Sequence, residues 1–514
     1  MSMVLNLVLF LPAAGAVLLL LLPRNRPQTV RSMALGFSLA TFALSLLLPW
    51  GFTAGTARLQ FETNARWMDL PPIRYHVAVD GISLFLVLLI SFLTVLCVLI
   101  SWNSVGKHVK EFFFFLLLLE TGAVGVFVAM DLFLFYVFWE VTLVPMYFLI
   151  GIWGHERRIY AALKFFLFTL IGSLLMLVAI IWLYNVFGTF DYPEILRAIS
   201  SGSQTLTMSQ QFFLFLAFFA AFAIKVPLFP LHTWLPDAHV EAPTAGSVML
   251  AGVLLKMGTY GLLRFCLPLF PDAAHALATP IIALSLVGII YGSLVAMVQP
   301  DLKKLIAYSS VAHLGFVVLG IFSFNQVAVE GAVYQMLNHG VSTGALFLMV
   351  GMIYDRLHSR AIRDMGGLAT PAPLLATFFL ITTLSSIGLP LLNNFVGEFL
   401  ILLGVLQERT LYAALAAIGV VLSAAYMLWM YQRVFLGEVA PRNQAFPDLN
   451  RREAGILAAA VALMIFMGVA SPYFLRKMDA STATLLEYTG RQEVRVQLVT
   501  PADAPLPARA KTDP

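Results

Sequence analysis

The chain has 514 residues, 60% of them hydrophobic and only 11% charged, with a formal net charge of +4. A soluble domain carries about 25% charged residues, so a wholly water-facing surface is excluded and most of the outside must face hydrocarbon. The small net charge asks for no nucleic acid. The two cysteines, Cys97 and Cys266, lie in apolar runs with no disulfide or metal spacing, and the lack of CxxC and GxGxxG argues against a redox centre or Rossmann site.

Crossing about 30 Å of hydrocarbon takes roughly 20 apolar residues. That rule predicts an all-α integral membrane protein of about fourteen transmembrane helices. The first two fall at 3–23 and 30–50; the first lacks a basic leader and a small-residue cleavage site, so it reads as a retained helix. The stretch Trp67–Asp80 before the third helix, 81–101, reads as a lid or packing segment rather than a site. The fourth and fifth, 112–130 and 132–153, carry Glu120 and Glu140. Glu140 lies nine residues past Asp131, or roughly 13 Å deep at 1.5 Å per residue. The sixth, 161–187, is followed by the seventh, 211–230, which runs into AIKVPLFPLHTWLPDAH and contains Lys225. The eighth, 244–268, has Lys256 at its middle. After the ninth, 276–299, the tenth and eleventh, 303–322 and 327–355, hold His313 and His339 at mid-helix. The twelfth, 371–404, contains SSIGLPLLNNFVGEF, with Gly388, Pro390, Asn393, Asn394 and Glu398. The thirteenth and fourteenth fall at 410–437 and 452–476, and the polar tail 477–514 is expected to be surface-bound or disordered.

The seventh and twelfth helices are predicted to be broken. Proline removes a backbone donor and clashes with the preceding turn, and such breaks survive in lipid only where protein or a cavity surrounds them. The two breaks are five helices apart. That spacing divides the chain into an N-terminal segment 1–111, a five-helix repeat 112–268, a second five-helix repeat 276–437 and the C-terminal helix. An odd repeat length inverts the second repeat relative to the first, and broken helices at matching positions point to a transport site. The bland alternative is that Pro and Gly are simply common in membrane helices.

Glu140, Lys225, Lys256 and Glu398 would each cost about 2.5–3.5 kcal/mol to insert unpaired. They must therefore be paired, hydrated or neutral, and all three conditions suit proton transfer. Glu140 and Lys225 are also compatible with a static ion pair, His313 and His339 with core packing, and Glu120 with helix packing. His232, Asp237, His239 and Glu241 resemble a metal cluster by residue type, but they sit at a Pro-flanked helix–loop junction and no metal is expected. For orientation, seventeen Lys and Arg residues fall in the odd-numbered loops and six in the even-numbered ones. The odd loops are thus predicted to be cytoplasmic and both termini periplasmic.

The segments FLFYVFWEVTLVPMYFLIGIWG, FAIKVPLFPLHTWLPDAHVEAPTAGSV, LLKMGTYGLLRF, DLKKLIAYSSVAHLGF and NNFVGEF resemble the antiporter-like membrane subunits of respiratory complex I, over about residues 75–440. Those subunits are related to the membrane chains of multisubunit Na+/H+ antiporters. Among the three large paralogues the M type fits best, because Glu398 stands where the L and N types carry lysine and no long lateral helix follows the fourteenth. The resemblance implies proton-translocating roles for Glu140, Lys225, Lys256, His313, His339 and Glu398, and leaves Glu120 without one. It also implies an inverted pair of half-channels and partnership with the L- and N-type paralogues and other membrane subunits. No NADH, flavin or iron–sulfur cluster would be bound in this chain, which would serve as a non-redox subunit of NADH:quinone oxidoreductase in a bacterial inner membrane. A stand-alone Na+/H+ antiporter or membrane-hydrogenase chain is the alternative, and an inert scaffold is a third reading that the buried charges oppose.

Overall fold

The computed structural model describes residues 2–490. Among these, 13 helices are long and apolar enough to cross a membrane, from Ser2–Leu21 to Arg451–Val469. A further crossing, twelfth in chain order, is made of two shorter pieces, Pro373–Ser386 and Asn393–Glu408. The spans that matter most below are the second, Pro27–Gly51; third, Leu84–Ser104; fifth, Leu132–Trp153; seventh, Met208–Lys225; eighth, Thr244–Leu269; tenth, Leu302–Phe322; eleventh, Gln326–Leu357; and fourteenth, Arg451–Val469.

Burial sorts the spans into layers. The apolar windows of the eighth and eleventh are wholly enclosed by protein, whereas those of the second and thirteenth are only 33% buried. Lipid gives apolar helices no reason to leave it, so inner helices are held by close packing. Gly252 and Gly340 supply that contact: a Cβ on Gly340 would stand 2.9 Å from Gly252 O and 2.5 Å from the Leu89 side chain.

Two aspartates start helices in the same way. Asp131 accepts from the amides of Phe133 and Leu134 at the head of the fifth span, and Asp301 accepts from those of Lys303 and Lys304 at the head of the tenth. Each satisfies orphan donors of a first turn, a contribution of about 1 kcal/mol. Asp131 also forms a β-bridge with Asp191, and Asp301 forms one with Ala361.

Between the second and third spans lies an antiparallel hairpin, Gln60–Met68 paired with Ile73–Val79. The alternation in IRYHVAV is a strand signal that a search for long apolar runs passes over. The hairpin is a packing element. Met130 N donates to His76 O, Arg74 N to Asp131 Oδ2 at 3.1 Å, and His76 Nδ1 bonds Asp191 Oδ2 at 2.5 Å.

The C-terminal boundaries need correction. The fourteenth span ends at Val469, and a separate helix runs Ser471–Glu487. The expected tail therefore begins inside a helix, and its part beyond 490 lies outside the described residues. The helix buries Phe474, Met478, Ser481, Thr482 and Leu485, a stripe at helical spacing. Its polar outer face lowers the average hydropathy, which is why composition alone read it as tail.

Candidate functional site

The seventh span stops at Lys225, and residues 226–233 are turns before a short helix, Trp234–Glu241. Pro227 and Pro230 end the ladder. The freed groups are satisfied locally: Trp234 Nε1 donates to Ile224 O at 2.8 Å and Leu228 N to Ala223 O at 2.8 Å. Lys225 is fully buried as the last helical residue, where its charge meets the negative helix end. Its Nζ has no hydrogen-bond partner and lies 5.2 Å from the Trp139 ring centre and 5.4 Å from that of Phe165.

Glu140, the neighbour of Trp139, is half-buried and its Oε1 has no partner. Its carboxylate acts through space on Lys225 but makes no contact within ion-pair distance. The two residues thus come to one site with the Trp139 ring at its edge, as separated charges.

Lys256 lies between two π-helical stretches of the eighth span, Leu250–Leu254 and Leu262–Cys266. Such widened turns recur at functional sites because they open the helical ladder. The lysine ammonium reaches Ala251 O and bonds His339 Nδ1 at 2.6 Å. The His339 ring centre is 5.8 Å from that of His313. His313 Nδ1 in turn bonds Glu398 Oε1 at 2.8 Å. Four predicted residues therefore form one line through the buried layer, with His339 Nε2 and His313 Nε2 left unpartnered.

The twelfth span breaks between Ser386 and Asn393, where Gly388 takes φ +77°. A left-handed residue there is easiest for glycine. A Cβ on it would also stand 3.4 Å from Glu398 Oε2. The broken ends are tied by amides. Gln335 Nε2 donates to Glu398 Oε1 at 3.0 Å and to Asn394 Oδ1 at 3.2 Å. Asn394 Nδ2 donates to Ser342 Oγ at 2.9 Å, and Asn393 Nδ2 to Asn338 O at 3.2 Å. Gln335, Asn338 and Ser342 were not singled out from sequence. Their spacing with His339 in YQMLNHGVS, three or four residues apart, marks one polar face and is the signal that would find them.

Other candidates go elsewhere. Glu120 is fully buried with both oxygens unpartnered, apart from this line. Asp237 takes Lys164 at 2.7 Å, Glu241 Oε2 accepts from Arg157 N at 2.9 Å, and His239 stacks on Phe347 at 4.5 Å. His232 faces Tyr291, so these four side chains do not converge on one point. Lys303, counted from sequence as a loop residue, is buried and donates to Ala242 O at 2.6 Å.

Residues 129–424 match the family described as NADH:quinone oxidoreductase/Mrp antiporter, TM. The chain is 47% identical over 500 residues to NADH-quinone oxidoreductase subunit M of Rhodobacter capsulatus, covering 95% of this chain and 97% of that one. It superposes on a chain of respiratory complex I from Thermus thermophilus with a TM-score of 0.86 and 34% identity, covering 95% of this chain and all of the other. An Mrp complex chain from Dietzia shares the fold at a TM-score of 0.79 with 21% identity. The chain belongs to the NADH:quinone oxidoreductase/Mrp antiporter membrane family, and within it to the M-type antiporter-like subunits.

Proposed function

We propose that this multi-pass membrane protein is the M-type, proton-translocating subunit of an NADH:quinone oxidoreductase, and that its protons pass along Lys225, Lys256, His339, His313 and Glu398. The observation that carries this reading is the line from Lys256 to Glu398 through the enclosed layer, two hydrogen-bonded pairs whose histidine rings stand 5.8 Å apart. Each histidine relays by accepting at one ring nitrogen and releasing from the other. His339 accepts from Lys256 at Nδ1 and releases from Nε2. His313 accepts at Nε2 and releases from Nδ1 to Glu398.

Glu140 and Lys225 act ahead of that line. When Glu140 closes on Lys225 it holds the proton there; when it withdraws, as in the separated arrangement, the lone buried ammonium gives the proton up toward Lys256. Charge–charge contacts at about 4–6 Å are worth roughly 1.4–4 kcal/mol, enough to bias transfer and small enough to reverse. Redox chemistry belongs to other subunits, and the L- and N-type paralogues are the neighbours this reading assigns.

The matched aspartate caps and bridges of the fifth and tenth spans support the inverted-repeat reading. The basic bias of the odd loops supports periplasmic termini in a bacterial inner membrane. A reporter fused after Pro514 that is active only in the cytoplasm would refute that orientation. The function is tested by NADH-driven proton uptake into inside-out vesicles, normalised to assembled complex. Lys256→Ala should assemble and lose uptake. Near-normal uptake per complex would remove Lys256 from the path.

A further inference from the structure

An apolar cavity of about 410 Å³ opens at the surface between the second, third, eleventh and fourteenth spans and the helix Ser471–Glu487. Its floor is Leu88 and Leu89 of the third span with Leu337 and Val341 of the eleventh. Its mouth is framed by Trp50, 89% exposed, and Tyr473. Trp and Tyr sit characteristically where hydrocarbon meets headgroups. Beside that mouth is a cation. Lys477 Nζ is 5.1 Å from the Tyr473 ring centre and donates to Pro49 O at 3.0 Å. Pro49 and Tyr473 both line the cavity. The ammonium also donates to Phe52 O at 3.5 Å, and it forms no ion pair among the described residues.

We propose that the cavity binds one anionic phospholipid, with an acyl chain against Leu88, Leu337 and Val341 and its phosphate on Lys477. The lining is apolar and open to the bilayer, so hydrocarbon is its natural filling. The aromatic pair places the mouth at headgroup depth, and the lysine, held by two backbone carbonyls and by no carboxylate among the described residues, selects a negative group there. The position also gives the lipid a consequence. Leu337 and Val341 bracket His339, and Leu89 closes over Gly340, which meets Gly252 in the eighth span. A bound chain buttresses this packing beside the Lys256–His339 contact.

The test uses the intact complex in vesicles of phosphatidylethanolamine and phosphatidylglycerol. The probe is phosphatidylglycerol carrying a diazirine midway along one acyl chain. After irradiation, peptide mapping should find adducts at Leu88, Leu337 and Phe466 several-fold more often than at lipid-facing Val178. Lys477→Ala and the groove-filling Leu46→Trp should each lower those adducts several-fold, and Lys477→Arg should retain them. A diacylglycerol probe with the same diazirine should label weakly. The proposal fails if the adducts match the Val178 background. It also fails if they ignore both Lys477→Ala and Leu46→Trp, if the neutral probe labels equally, or if a photo-crosslinker at Trp50 joins another polypeptide instead of lipid.

Discussion

The two halves of the buried polar line are built differently. In the second, from Lys256 to Glu398, Lys256 is hydrogen-bonded to His339 and His313 to Glu398, and a mesh of amides and hydroxyls ties the broken twelfth span to the eleventh. In the first, Glu140 Oε1 and Lys225 Nζ have no hydrogen-bond partner, and the ammonium rests among aromatic rings. Bonded groups hold a geometry. A buried ammonium without a partner is expensive, so a small movement that brings the half-buried Glu140 carboxylate, which also bonds Tyr136, onto Lys225 or away from it shifts a large energy. The second half is suited to conduct, the first to switch.

The largest effect that would break this contrast is at Glu140. Glu140→Gln keeps the shape and removes the charge. Proton uptake per assembled complex should fall about tenfold or more, since each 1.36 kcal/mol of lost interaction is a factor of ten. Glu140→Asp should retain part of it. If Glu140→Gln instead reduces only the amount of complex, with normal activity per complex, the pair is a static tie. Next comes Glu398. Glu398→Gln preserves an acceptor for Gln335 but cannot take a proton, and uptake should fall several-fold while assembly stays normal; normal uptake removes it from the path.

Asn394 sharpens the contrast from the structural side. Asn394→Ala strands Ser342 and Gln335 partners, so it should destabilise by about 1–3 kcal/mol. The expected readout is a lowered thermal midpoint of the complex with a milder loss of uptake than Glu398→Gln. A large uptake defect at unchanged stability would mean the amide mesh conducts as well as holds.

The charged members of the line were legible in sequence because a Lys or Glu inside an apolar run has few bland explanations. The breaks were legible because proline and glycine act on the backbone directly. The amide mesh was not, since Gln335, Asn338 and Ser342 raise no charge alarm and matter only through the partners that folding brings to them. Lys303 was counted among the loop cations although the tenth helix was predicted to begin at it; its burial against Ala242 depends on a partner that only folding brings near. The helix Ser471–Glu487 was hidden by its polar outer face, and the two π-helical stretches around Lys256 have no compositional mark. That Glu140 and Lys225 stand apart is a matter of side-chain distances, which spacing along the chain does not contain.

The smallest expected effect separates the two β-bridged clamps outside the spans. At the first, His76 bonds Asp191 at 2.5 Å and Glu62 at 2.9 Å. Burial opposes the charge on this imidazole, but Asp191 and Glu62 outweigh it and hold its pKa above the ordinary value. At the second, Asp301 meets Arg360 at 3.4 Å, and arginine stays charged throughout the accessible range. A proton bound more tightly in the folded than in the unfolded protein adds stability that is complete below about pH 6.5 and fades as pH rises through the higher folded value. The first clamp should therefore loosen with rising pH while the second does not. Hydrogen exchange of the amides of Arg74 and Met130, corrected for its intrinsic pH dependence, should speed up between pH 7 and pH 9, above the range where the cap Asp131, pushed up to about 6 by burial, titrates, and that of Leu302 should not. Glu62 is 46% exposed by its side chain, so solvent screens part of its influence and the change should be modest. His76→Gln keeps a polar side chain without the titrating proton. It should make exchange at the first clamp nearly independent of pH over that same range, and a wild-type pH response there that survives His76→Gln would place the titrating group elsewhere.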